Sequence, residues 1–249
     1  MAEFNEDSPI KSGFTKFEGG KSKIHCGIPA KSHHSGSIIF LHGLGDVGNT
    51  WIEYFKCIAR DDINYVFPTA TSMPVTVNNG HIMPSWFDTF QLIENPKNED
   101  YGGIMKSCTF LESVIIEETQ KGIPTDRIII AGISQGGAIT LITALTTKFK
   151  LGGVIILSSY LTLIQDISKL LTGVNRDTPL FYAHGVKDKL ISIDWCNNTH
   201  KKIGKWFDKI HFKTYGELGH WVCEEEFNDI ALWVDKVLLS LSNKEGTQS

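Results

Sequence analysis

The sequence predicts an α/β protein built on a mostly parallel, doubly wound sheet with helices on both faces. Three observations carry that reading. Short β-branched runs alternate with helical stretches from about residue 36 onward. The runs are continuously apolar, the signature of strands covered on both sides. Glycine-rich turns follow two of them, at 43–48 and 132–137, where such a sheet places its ligands.

Each element has a local reason. Ser37–Leu41 and Asn64–Phe67 read as buried strands, the second stopped by Pro68. Arg127–Ala131, Gly153–Leu157 and Leu180–His184 are three more, with a last strand expected at His211–Tyr215. Between them, Tyr101–Lys121 carries Ile104, Cys108, Leu111 and Ile115 at helical spacing, and Gly122 then Pro124 end it. Ser134–Phe149 is apolar around most of its circumference, as expected beneath the centre of a sheet. Phe227–Leu241 places Ile230, Trp233, Val234, Val237 and Leu238 on one stripe. The expected organisation is an N-terminal extension over residues 1–35, with an edge hairpin around Phe14 to Cys26, then one α/β domain over 36–241 and a tail over 242–249. The long irregular stretch Thr69–Asn95 reads as functional or mobile, because structureless loops of that length are uncommon in compact domains.

Composition excludes several classes. The 249 residues are 41% hydrophobic and 21% charged, with a formal net charge of −4. That length suits one large α/β domain, and the charge offers no basic stripe for nucleic acid and no polybasic membrane patch. Five widely spaced cysteines with no C-x-x-C pair read as reduced thiols in a cytoplasmic protein. The acidic start Met1–Asp7 does not read as a signal peptide, and no apolar run is long enough to cross a bilayer, so stable membrane insertion is not expected.

Gly132-Ile133-Ser134-Gln135-Gly136 matches G-x-S-x-G and lies directly between a strong strand and a strong helix. That is the context of a nucleophile elbow, and it points to the α/β-hydrolase fold. A serine at the tip of so tight a turn has strained backbone angles, and flanking glycines let strand and helix approach. It also sits at a helix N-terminus, where free N–H groups favour a developing oxyanion. The plainer alternative is a capping serine at a glycine-rich junction. A hydroxyl nucleophile needs a base, and the base an orienting acid, in the chain order Ser, Asp/Glu, His. Asp188 follows the strand ending at His184, and His220 follows the strand ending at Tyr215. Asp194 is the fallback acid, and a turn aspartate before a helix starting at Ser192 is the bland reading of Asp188.

His42-Gly43-Leu44-Gly45-Asp46-Val47-Gly48 contains G-x-G-x-x-G. A dinucleotide fingerprint would want an acid at the end of the next strand, yet that strand ends in Pro68-Thr69. The better reading is half of an oxyanion hole, with the backbone N–H groups of Leu44 and Gln135 as donors. Each such donor typically supplies roughly 2.7–4 kcal/mol of transition-state stabilisation.

Taken in order, Leu41-His42-Gly43-Leu44-Gly45-Asp46, Met83-Pro84-Ser85-Trp86-Phe87-Asp88, Gly132 through Ala138 and Gly219-His220 resemble the acyl-protein thioesterase / lysophospholipase family, the phospholipase–carboxylesterase group. The resemblance spans roughly residues 36–240. It implies hydrolysis of long-chain acyl thioesters on S-palmitoylated proteins and esterase activity on lysophospholipids or small esters. By position it makes Ser134 the nucleophile, Asp188 the acid, His220 the base, and Leu44 with Gln135 the oxyanion donors. The acid loop departs from the family's common His-Gly-Asp-x-Asp-Pro, reading His-Gly-Val-Lys-Asp-Lys over 184–189, and Tyr160 stands where relatives tend to carry tryptophan.

No metal or organic cofactor is expected, since His220-Trp221-Val222-Cys223 is a poor ligand pattern. An acyl chain is expected against Met73, Val75, Ile82, Met83 and Trp86 of the long loop and Leu161 and Leu163 after the strand ending at Leu157. The expected partners are S-acylated proteins or lysophospholipid and ester substrates, acted on by a monomer or weak dimer. A small-ester carboxylesterase and a non-catalytic binding module are the alternative functions.

Overall fold

A computed structural model describes residues 25–245. In chain order the strands are β1 (Cys26–Ile28), β2 (Gly36–Leu41), β3 (Ile63–Phe67), β4 (Ser72–Val75), β5 (His81–Pro84), β6 (Ile128–Ile133), β7 (Gly153–Leu157), β8 (Leu180–Gly185) and β9 (Ile210–Tyr215). The helices are α1 (Trp51–Lys56), α2 (Tyr101–Gln120), α3 (Ser134–Thr146), α4 (Ile167–Leu170), α5 (Ile193–Ile203) and α6 (Glu224–Glu245). Seven strands form one sheet in the order β1-β3-β2-β6-β7-β8-β9. All neighbours in it pair in parallel except β1, which runs antiparallel to β3 along the edge.

The apolar strands divide their side chains between two layers. Ile39, Leu41, Ile128, Ile130, Val154 and Ile156 pack with residues of α2, α3 and α5 on one face. Ile38, Phe40, Ile129, Ala131, Ile155 and Leu157 pack with α1 and α6 on the other. Successive residues thus face opposite layers, which is why continuous apolar runs were required. From β2 the chain adds β3 on one side and then β6 to β9 on the other. The reversal point lies between β2 and β6, where such sheets leave a crevice at their carboxyl ends. The loop 42–48 and Ser134 both leave the sheet there.

The six expected strands and three long helices are present. Differences are local. α3 ends at Thr146, with Thr147 already extended, instead of running to Phe149. The stretch 69–95 is not structureless, since β4 and β5 form a separate antiparallel hairpin. Its turn places Asn79 at φ 55° and Gly80 at φ 76°, a left-handed pair for which Asn-Gly is suited. α1, six residues directly after the glycine loop, is too short to show a helical period in the sequence. Apart from His25 and Cys26, the expected hairpin over Phe14–Cys26 lies outside the described residues, as does the end of the tail.

A buried carboxylate ties α2 to the sheet. Glu118, 1% exposed, accepts from Ser37 Oγ at 2.6 Å, Asn64 Nδ2 at 3.0 Å and Lys121 Nζ at 2.5 Å, joining the helix end to β2 and β3. Burial alone would raise this carboxyl. The hydrogen bonds from Lys121, Ser37 and Asn64 outweigh it and hold the group below its ordinary value. Glu118→Ala is expected to cost about 2–3 kcal/mol of unfolding free energy at neutral pH. Because the folded carboxyl lies below its unfolded value, this contribution is present above the ordinary carboxylate range and lost as pH falls through it. Denaturant titrations of both proteins should therefore show a gap that narrows toward acid.

Candidate active site

Ser134 sits at the β6–α3 junction with φ 52°, a left-handed conformation costing a non-glycine residue roughly 1–2 kcal/mol. Its neighbours explain how the turn closes. A Cβ on Gly132 would come within 2.6 Å of the Gly136 backbone, and one on Gly136 within 2.3 Å of the Leu41 carbonyl oxygen. Only hydrogen fits at either position, so α3 starts hard against β2 and β6. Ser159 Oγ donates to the Ser134 carbonyl at 2.6 Å and fixes the turn from the β7 side.

The loops after β8 and β9 bring Asp188 and His220 to this serine. Ser134 Oγ lies 2.9 Å from His220 Nε2, and His220 Nδ1 lies 2.7 Å from Asp188 Oδ2. A carboxylate only accepts, so Nδ1 carries the proton and Nε2 is left as the acceptor facing the hydroxyl. Asp188 Oδ1 accepts from the backbone N–H groups of Leu190 and Ile191 at 2.8 and 2.9 Å. His184 Nε2 donates to the Ile191 carbonyl at 2.8 Å and stands 3.4 Å from Asp188 Oδ2. Burial would raise the Asp188 carboxyl, but the hydrogen bonds from His220, Ile191 and Leu190 hold it below its usual range. Asp194 lies exposed in the first turn of α5, away from this chain of hydrogen bonds.

A second network braces the two expected oxyanion donors against each other. Gln135 stands in the first turn of α3, where N–H groups have no intrahelical acceptor. Its side-chain Oε1 accepts from Trp86 N–H at 2.9 Å, and Nε2 donates to the Phe87 carbonyl at 2.8 Å and Thr89 Oγ1 at 3.2 Å. The same segment grips the Leu44 loop. Trp86 Nε1 donates to the His42 carbonyl at 2.8 Å, and Gly45 N–H to the Pro84 carbonyl at 2.9 Å. His42 Nε2 accepts from Ala70 N–H at 3.0 Å, so its proton is on Nδ1, which donates to the Gly43 carbonyl at 2.7 Å. Burial pushes the His42 pKa down, against the raising effect of the Gly43 carbonyl, and favours this neutral form. Asp46 closes the loop by accepting from Val47 N–H, Thr50 Oγ1 and Trp51 Nε1.

Leu44, Ser134, Gln135 and His220 open onto a cavity of about 440 Å³, its apolar lining drawn from Val77, Leu92, Ile133, Tyr160, Leu190 and Trp221. None of the seven residues expected to form an acyl groove lines it, a correction with a physical cause. Trp86, Leu161 and Leu163 are buried in the core layer shared with α2 and α3, and Val75 is buried at the turn end of β4, opposite His81. Trp86 spends its indole N–H on His42. Met73, Ile82 and Met83 belong to the β4–β5 hairpin, where Ile82 is 74% exposed and the Met83 sulfur accepts from Asn78 Nδ2. The wall residues missed include Leu190 and Trp221, within two positions of Asp188 and His220. That adjacency was the available signal. Among the described residues no group of three or more His, Cys, Asp or Glu side chains is placed to hold a metal ion, and no helix is long and apolar enough to cross a membrane.

The sequence profile of the family described as Phospholipase/Carboxylesterase matches residues 24–238. Acyl-protein thioesterase 1 of Debaryomyces hansenii is 39% identical over 222 residues, covering 84% of this chain and 93% of that protein. Its namesake from Candida albicans is 38% identical over 224 residues, covering 85% and 96%. Among solved structures, Arabidopsis thaliana SOBER1 matches with a TM-score of 0.77 at 27% identity, covering 82% of this chain and 99% of that one. Zea mays acyl-protein thioesterase 2 shares the fold with a TM-score of 0.79 at 23% identity, covering 87% and 100%.

The strained turn has a measurable consequence. Ser134→Gly and Ser134→Ala both delete the hydroxyl, but only glycine relieves the left-handed backbone. The glycine variant is expected to unfold at the higher temperature, by about 1 kcal/mol of stability. Equal melting temperatures would show that the turn stores no strain.

Proposed function

Because the chain belongs to the phospholipase/carboxylesterase family and is thus a hydrolase of the esterase type, we propose that it cleaves acyl thioesters and esters through an acyl-enzyme on Ser134. The observation that carries this reading is the continuous run from Ser134 Oγ through His220 to Asp188, at 2.9 and 2.7 Å, opening on an apolar cavity.

His220 Nε2 takes the hydroxyl proton as Ser134 Oγ attacks the acyl carbonyl carbon. Asp188, kept ionised by its backbone N–H donors, stabilises the imidazolium so formed. The N–H groups of Leu44 and Gln135 receive the oxyanion, and the Trp86 segment that braces both loops holds them ready before substrate arrives. His220 then protonates the departing thiolate or alkoxide. Water, deprotonated by the same imidazole, attacks the ester carbon, and collapse of the second tetrahedral adduct returns the proton to Ser134.

The apolar lining of Val77, Leu92, Tyr160 and Leu190 suits an acyl chain, and the relatives named acyl-protein thioesterase support S-acylated proteins as substrates. On this reading depalmitoylation is the main reaction, and the phospholipase/carboxylesterase family supports lysophospholipid hydrolysis beside it. Five unpaired cysteines accord with a reducing, cytoplasmic setting.

The test compares an S-palmitoylated peptide with a chain-length series of p-nitrophenyl esters. Release from the peptide and turnover extending to long chains are expected, all lowered on the order of 10⁴-fold or more by Ser134→Ala. A sharp optimum at acetyl to butyryl esters, with no release from the peptide, would assign a small-ester carboxylesterase instead.

A further inference from the structure

The cavity wall beside His220 is built differently from the rest. Trp221 follows His220 directly, is 46% exposed, and lines the cavity together with Asp46, while Trp51 lies fully buried behind them. Its ring packs 5.9 Å from that of Trp51 and 6.3 Å from that of Tyr54, so a large, half-exposed indole is held in a fixed place at the cavity mouth. Trp51 Nε1 donates to Asp46 Oδ2 at 2.8 Å, and Asp46 accepts from Val47 and Thr50 as well, which fixes a carboxylate on the same wall. In the neighbouring segments Lys187 pairs with Glu217, and Lys213 with Glu225 and Asp229, so these lysines are already matched by carboxylates.

Position determines what this wall meets. If Ser134 is the nucleophile, a reading on which this inference rests, His220 Nε2 must hand its proton to the leaving atom. Whatever is attached to that atom therefore passes next to His220, and so next to Trp221. An electron-rich indole face with a fixed carboxylate nearby attracts cations and repels anions. We infer that Trp221 and Asp46 form a leaving-group subsite for a cationic side chain, the Lys or Arg of a protein substrate beside its S-acylated cysteine, with the buried Trp51 holding both in place. The exposure of Trp221 at the rim suits a side chain reaching in from a peptide lying across the mouth. Lys189, next to Leu190 in the chain, is the cation whose repulsion this preference must outweigh.

The experiment uses the full chain and three S-palmitoylated peptides differing only in the residue next to the acylated cysteine: Arg, Gln or Glu. kcat/KM is expected to fall in that order, with Arg over Glu by about fivefold, the scale of a partly exposed cation–π contact. In Trp221→Leu, which keeps an apolar side chain at a half-exposed position, the Arg-to-Glu ratio should drop below about twofold whatever the absolute rates. A general structural defect would lower all three rates together and leave the ratio intact. Equal rates in the wild type, or a ratio unchanged in Trp221→Leu, would overturn the inference. A preference for lysophosphatidylcholine over lysophosphatidylglycerol without any preference among the peptides would overturn it too, placing a lipid headgroup there instead. Loss of all hydrolysis in Ser134→Ala keeps the two questions apart, since turnover that survives that substitution defeats the proposed nucleophile and not the subsite alone.

Discussion

The contact on which the rest of the molecule depends is the approach of α3 to β2 and β6 at Gly132 and Gly136. A methyl group at Gly136 would lie 2.3 Å from the Leu41 carbonyl, so the first turn of the helix can start where it does only because hydrogen stands there. That closeness forces Ser134 into a left-handed backbone at φ 52°, lifts its hydroxyl clear of the sheet, and aims free N–H groups of the helix start into the crevice at the point of strand reversal. The surrounding packing over-determines the turn: β6 pairs on both sides, and α3 is buried over nearly its whole length. Strain of this size persists only where the surroundings hold it.

From that corner the site is assembled by loops that share partners. The segment 84–89 is hydrogen-bonded at once to the Gln135 side chain and to the Leu44 loop, through Trp86 and Pro84. Gln135 thus does two things, with its backbone N–H directed by the helix and its amide pinning the segment that holds the opposite loop. The acid loop is similarly closed on itself, Asp188 taking two backbone N–H groups while His184 steadies the Ile191 carbonyl. The departures at Val186 and Lys189 from the commoner acid-loop pattern leave this closure intact, because the bonds run from Leu190 and Ile191 backbone rather than from the replaced side chains.

Much of this was legible because it is local or periodic. Continuous apolar runs such as Ile128–Ala131 state a doubly covered strand, and Gly132-x-Ser134-x-Gly136 states a tight turn by its lack of bulk. Asp188 and His220 could be placed because a parallel sheet puts the ends of its strands together. The cavity wall was not legible, since which side of a loop faces the cavity is decided by pairings between distant segments. Trp86 looks like a hydrophobic surface in sequence, yet its indole N–H is claimed by His42, 44 positions away. The β4–β5 hairpin escaped notice because its strands are short, interrupted by Pro74 and largely exposed, leaving Asn79-Gly80 as the single turn signal. Tyr160, Leu92 and Val77 meet across the cavity from three separate loops, a juxtaposition no spacing encodes.

The central claim is that Ser134 is an activated nucleophile within this constellation. Incubating the protein with a fluorophosphonate and mapping the adduct by mass spectrometry tests it most directly. One adduct per chain on Ser134, absent from Ser134→Ala, is the expected result; no adduct, or labelling that survives the substitution at another residue, would contradict the account.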